Sequence, residues 1–250
     1  MRFAPRSILG IFLARRAPIP TSNLMRKCAA EFFGTFALVF AGTGAIVIDA
    51  DRGGAVTHVG IALTFGLVVL ASIYAFGETS GAHLNPAVTL GFFAARRLPG
   101  REVAPYVASQ LLGAFAASGL LRVLFPDNSA LGATRPAGAE WQSFVLELVL
   151  TWFLMTVILG VSTGAKEKGL LAGVAVGAVI ALEALFAGPI SGASMNPARS
   201  LAPAVVSANL TSLWIYLAAP VLGAMLAVLT CRCAQEEGCC GKKLAPGDAR

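Results

Sequence analysis

Ser80-Gly81-Ala82-His83-Leu84-Asn85-Pro86-Ala87 and Ser191-Gly192-Ala193-Ser194-Met195-Asn196-Pro197-Ala198 state one pattern twice, 111 residues apart. Asn followed by Pro is the chemistry of a helix start. The Asn side chain caps orphan backbone N–H groups, and Pro fits the first helical position because its missing N–H had no partner there. Two such starts at matching places in two halves of an apolar chain predict broken helices that meet near the middle of a bilayer.

The composition points the same way. Hydrophobic residues make up 56% of the chain and charged residues 13%, with a mean hydropathy of +0.75; a soluble domain carries about 25% charged residues. Six segments, near 28–48, 56–76, 103–124, 141–162, 169–187 and 211–230, are long and apolar enough to cross a core of roughly 30 Å. The stretches 85–95 and 196–207 are apolar but too short to span, and read as re-entrant half-helices. Irregular backbone at membrane depth is tolerated only where protein buries it or it lines a watery cavity. A cavity between the halves is therefore expected.

Sliding the chain by 111 residues aligns Ser80–Leu90 with Ser191–Leu201 at 7 of 11 positions, and also places Gly66 on Gly177 and Gly77 on Gly188. The first spans match loosely, with Glu31 and Glu147 in corresponding places. Each half holds three spans and one half-helix. Three is odd, so the second half must lie upside down, and the two corners enter from opposite faces. The expected fold is an all-α membrane protein of six transmembrane helices and two re-entrant half-helices in an inverted repeat. The expected layout is a basic arm over 1–27, a channel domain over 28–230 with halves near 28–124 and 141–230, and a Cys-containing tail over 231–250.

Charge sets the orientation. Of the 19 Lys and Arg residues, 15 fall in the arm, around 96–101, in the fourth connection and in the tail; Arg52, Arg122, Arg135 and Arg199 fall on the other side. The positive-inside rule then puts both termini in the cytoplasm, with the cell (inner) membrane as the expected location. The formal charge of +6 is accordingly a topology signal, and no nucleic-acid partner is expected. In the arm, Ile8–Ala14 is a short apolar run without a convincing cleavage site, so no cleaved signal is expected; Met25 offers an alternative start.

Two framed Asn-Pro-Ala boxes, Arg199 after the second, and Ala30-Glu31-Phe32 opening the first span resemble the aquaporin (major intrinsic protein) family over roughly 25–230. The run Ala187–Leu201 and Trp214-Ile215-Tyr216-Leu217 look most like the plant nodulin-like branch and its bacterial relatives. The resemblance implies a homotetramer with one pore per subunit, which passes water and small uncharged solutes through a lipid bilayer and excludes ions and protons.

Asn85 and Asn196 each have an oxygen to cap a half-helix and an amide to donate to a permeant oxygen. The helix N-termini behind them supply a positive field that opposes cations. Arg199 sits where that field disfavours a cation, so its placement points to function. The resemblance assigns it to an outer constriction with Phe65, Ala184 and Ala193. Water-selective members usually carry His at the place of Ala184. The ring here is one aromatic, two methyls and an arginine, which widens the opening toward glycerol, urea, boric or arsenous acid. Phe65, Ser200, Ala204 and Tyr216 match water-channel positions, while Leu217 leans the other way.

Buried ionisable groups in a membrane need partners, so Glu31 and Glu147 are expected to accept from backbone N–H groups of the re-entrant loops. His83 reads as a packed loop histidine, with a gate as the alternative; His58 carries no clear signal. Glu183 departs from the family pattern, and three roles stand open: a subunit contact, a cap on loop backbone, or an electrostatic influence on the filter. Cys231, Cys233, Cys239 and Cys240 read as reduced cytoplasmic thiols, with soft-metal binding or palmitoylation as alternatives.

No nucleophile–base pair, phosphate loop or intramembrane metal cluster occurs, so an enzyme is excluded, and neither cofactor nor metal is expected. Two other classes share the features of broken helices and an inverted repeat: a coupled secondary transporter, and a junction or scaffold protein with a closed pore.

Overall fold

The computed structural model describes residues 24–162 and 166–234, by backbone alone at 166–170 and 232–234. The arm as far as residue 23, the connection at 163–165 and the tail beyond 234 lie outside the described residues. The regular elements of the described chain are all helices: α1 (Leu24–Asp51), α2 (Thr57–Ser80), α3 (Pro86–Ala94), α4 (Gly100–Leu124), α5 (Glu140–Val161), α6 (Lys166–Ser191), α7 (Pro197–Val206) and α8 (Leu213–Ala234). Six of these are long and apolar enough to span a bilayer. The other two, α3 and α7, have 9 and 10 residues, about 15 Å at 1.5 Å per residue, half of a hydrocarbon core.

Packing repeats with the sequence. Within the first half α1 packs on α2 and α4; within the second, α5 packs on α6 and α8. The halves join along α2 and α6, and each half-helix leans on the last span of the other half, α3 on α8 and α7 on α4. At the α2–α6 crossing, a Cβ on Gly66 would fall 2.5 Å from the Gly177 carbonyl oxygen, and one on Gly177 would fall 2.7 Å from the Gly66 carbonyl oxygen. The two repeat partners thus touch each other where the halves meet. Lipid tails give helices no hydrophobic reason to associate, so close backbone approach between small residues supplies the contact.

The outer surface is what a bilayer requires. Leu63, Leu67, Leu112, Val123 and Phe186 are exposed and apolar. Trp141 and Trp214, near the starts of α5 and α8, are 72% and 52% exposed, the amphipathic rings favoured at a membrane boundary. The interior holds the polar residues, among them Glu31, Gln110, Glu147, Glu183 and Arg199.

Helices α2 and α6 run further than the hydropathy pattern predicts, to Ser80 and Ser191, so each delivers the chain directly into its box. At the end of α8, Cys231 is buried and disulfide-bonded, which corrects the expectation of a reduced thiol there. The other tail cysteines lie beyond the described side chains.

Candidate pore between two crossed helix starts

The segments before α3 and α7 bend alike. Gly81, Ala82 and Leu84 have φ of 89°, 46° and 53°; Gly192, Ala193 and Met195 have 87°, 41° and 52°. Left-handed backbone at Ala, Leu and Met costs about 1–3 kcal/mol per residue and persists only where the surroundings over-determine it. A buried carboxylate does so in each half. Glu31 accepts from the backbone N–H groups of His83 and Leu84 at 2.9 and 2.7 Å and from Ser80 Oγ at 2.7 Å. Glu147 accepts from Ser194 and Met195 N–H at 2.9 and 2.8 Å and from Ser191 Oγ at 2.7 Å. Both acids are 0% exposed and accept from the loop backbone.

Sequence reading missed the rest of the brace. The Tyr106 hydroxyl donates to the Ser80 carbonyl at 2.8 Å and that of Tyr216 to the Ser191 carbonyl at 2.7 Å. Gln110 Nε2 donates to Glu31 at 2.8 Å and to Thr89 Oγ1 at 2.9 Å. The spacing of 110 between Tyr106 and Tyr216 was the signal available. The His83 ring stacks on Phe92 at 4.4 Å, and its Nδ1 lies 3.2 Å from Thr89 Oγ1.

The bent loops bring the two starts together. Asn85 Oδ1 accepts from the Ala87 N–H at 2.8 Å, and Asn196 Oδ1 from Ala198 and Arg199 at 3.0 and 3.3 Å. These are helix caps at both sites, with Pro86 and Pro197 opening α3 and α7. The amides cross over. Asn85 Nδ2 donates to the Met195 carbonyl at 2.7 Å, and Asn196 Nδ2 to the Leu84 carbonyl at 2.8 Å. Each asparagine therefore holds the residue just before the other. A side-chain amide has two N–H groups, so one of each pair remains. Both asparagines line a cavity of about 100 Å³ between the halves.

Four spans, α1, α2, α5 and α6, supply the apolar wall with residues such as Leu38, Val69, Leu154 and Val176. Phe65, Ala184, Ala193 and Arg199 all border this cavity. The Arg199 guanidinium carbon lies 5.2 Å from the Phe65 ring centre, within cation–π range. Its Nη1 donates at 2.9 Å to the Gly132 carbonyl, in the segment linking the halves. Gly132 has φ of 68°, and a Cβ there would sit 2.8 Å from Thr43 Cβ, so only glycine lets this carbonyl reach the arginine. Gly42 makes comparable room for Phe65, whose ring would lie 2.1 Å from a Cβ at 42.

Glu183 precedes Ala184 but does not line the cavity. It is buried, and neither carboxylate oxygen has a hydrogen-bond partner among the described residues. That removes two of the three expected roles: it caps no loop backbone, and it does not reach the subunit surface. Among the described residues no group of three His, Cys, Asp or Glu side chains is placed to hold a metal.

An inverted pair of three-helix units, with two half-helices meeting beside a cavity, defines a channel-type membrane fold. The model of the major intrinsic protein family matches residues 19–231. The chain belongs to that family and is a multi-pass integral membrane protein. Among curated proteins it is 50% identical over 210 residues to "Aquaporin NIP1-1" of Zea mays, covering 84% of this chain and 74% of that one. It is 46% identical over 202 residues to "Nodulin-26" of Glycine max, covering 80% and 74%. Among solved structures, the aquaglyceroporin of Plasmodium falciparum superimposes with a TM-score of 0.77 at 27% identity, covering 84% of this chain and 96% of that one.

Proposed function

We propose that the chain is a passive channel for water and small uncharged solutes. The observation that carries this reading is the crossed pair of asparagine amides at the meeting of two helix N-termini, beside a mostly apolar cavity. Each N-terminus acts as about half a positive charge. Two of them aimed at one spot oppose a cation or hydronium, the established way in which aquaporin-type channels exclude protons. The remaining amide N–H groups orient the oxygen of a passing neutral molecule.

Phe65, Ala184, Ala193 and Arg199 form the selectivity filter in this reading. Two methyl groups leave the ring open to a molecule larger than water, and the arginine provides donors while repelling cations. The cargo is therefore water together with solutes of glycerol size, including urea and boric acid. The 15-to-4 distribution of basic residues supports both termini in the cytoplasm, and the assembly in this reading is the family's usual homotetramer. Stopped-flow swelling of proteoliposomes tests the reading. Water and glycerol fluxes well above those of empty liposomes are expected; exclusion of both glycerol and boric acid would remove the wide-filter assignment.

A further inference from the structure

Pro189 lies inside α6, near its end. Proline has no N–H, so the carbonyl four residues earlier loses its helical donor. That carbonyl belongs to Leu185, next to the filter residue Ala184. A bare carbonyl in a spanning helix needs another partner. His58, in the first turn of α2, provides one: Nε2 lies 2.7 Å from the Leu185 oxygen. A carbonyl can only accept, so Nε2 carries the hydrogen and donates it. The approach has been made possible by Gly188, where a Cβ would stand 2.9 Å from the His58 ring. Three residues, one lacking a donor, one lacking a side chain and one carrying the missing N–H, thus form a single contact.

The first half has no such arrangement. At the place of Pro189 the repeat has Glu78, whose backbone keeps its N–H, and at the place of His58 it has Gly169. The filter residues Ala184, Ala193 and Arg199 all belong to the second half. The histidine is therefore present where the helix is broken and where the filter is built.

We infer that His58 is a positioning residue for solute selection. By replacing the hydrogen bond that Pro189 cannot make, it fixes the last part of α6, which sets Ala184 on the wall of the cavity that Phe65 also lines and leads into the second box. This rests on the channel reading above. Without the bond the Leu185 carbonyl is left to reorient, Ala184 moves with it, and the width of the ring changes while the central asparagines keep their places.

The test is the ratio of glycerol to water permeability in proteoliposomes for five forms: unaltered, His58→Ala, His58→Gln, Pro189→Ala, and His58→Ala with Pro189→Ala. In His58→Ala the ratio should shift roughly three- to ten-fold, the scale of one net hydrogen bond. His58→Gln, whose amide also donates, should restore most of it. In the Pro189→Ala background residue 189 supplies its own N–H to Leu185, so removing His58 should change the ratio less than about two-fold, a non-additivity that marks a shared partner. An unchanged ratio in His58→Ala, or an equal shift in both backgrounds, overturns the inference. If the unaltered protein passes neither water nor glycerol, the channel reading has failed instead.

Discussion

The two halves build one corner and differ in what stands around it. Both use a buried glutamate, a serine and a tyrosine to hold a left-handed loop ahead of Asn-Pro-Ala. Around the first box lie Gln110, Thr89 and His83, an internal polar cluster joined to Glu31. Around the second, Ser194 and Ser200 bond each other, Thr134 donates to Ser200 at 2.9 Å, and Arg199 stands where the repeat has Val88. What the halves share is support; what distinguishes them, in the proposed reading, is selection. An inverted repeat makes the barrier symmetric at its centre and leaves each mouth free to differ.

The support is where the largest effects are expected. Glu31→Ala or Glu147→Ala leaves two backbone N–H groups and a hydroxyl buried without an acceptor, at about 1–3 kcal/mol each. Either variant should yield little folded protein, measured by size-exclusion recovery and thermal unfolding in detergent. If one is tolerated and the other is not, the two corners are less alike than their geometry.

Selection comes next. Arg199→Val gives the second box the side chain of the first; glycerol flux should rise several-fold and a cation leak should appear, read with a potential-sensitive dye. An unaltered filter in that variant would move selection away from the second half. Gly42→Ala drives Phe65 toward the cavity, so glycerol flux should fall more than water flux, in the opposite sense to Arg199→Val.

The centre of the repeat should respond evenly. Gly66→Ala and Gly177→Ala each press a methyl onto the other residue's carbonyl and should cost similar stability, about 1–3 kcal/mol as for overpacking, seen as matching losses in the unfolding midpoint. The one expected gain is of similar size. Glu183→Leu removes a buried carboxyl without a hydrogen-bond partner among the described residues and should raise that midpoint, since such a group costs about 1–3 kcal/mol.

The sequence made the centre legible and the surroundings only partly so. Asn85 and Asn196 stood out because a helix start has a local signature, and the six spans because a bilayer sets a minimum apolar length. Glu31 and Glu147 could be read because charge is conspicuous in such a chain. Gln110, Thr134 and Gly132 could not, since their roles depend on contacts across 79, 66 and 67 positions of chain. His58 stayed silent for the same reason. Its partner is a backbone carbonyl 127 residues away, and a carbonyl has no sequence signature except the proline that leaves it bare.

The central claim, that the crossed amides line a passive pore, is tested most directly by flux in proteoliposomes under imposed gradients. Water and glycerol movement should depend weakly on temperature, rise without saturation as the solute concentration rises, and ignore proton and sodium gradients. Saturating flux driven by either gradient would contradict a channel and identify a coupled transporter built on the same broken helices.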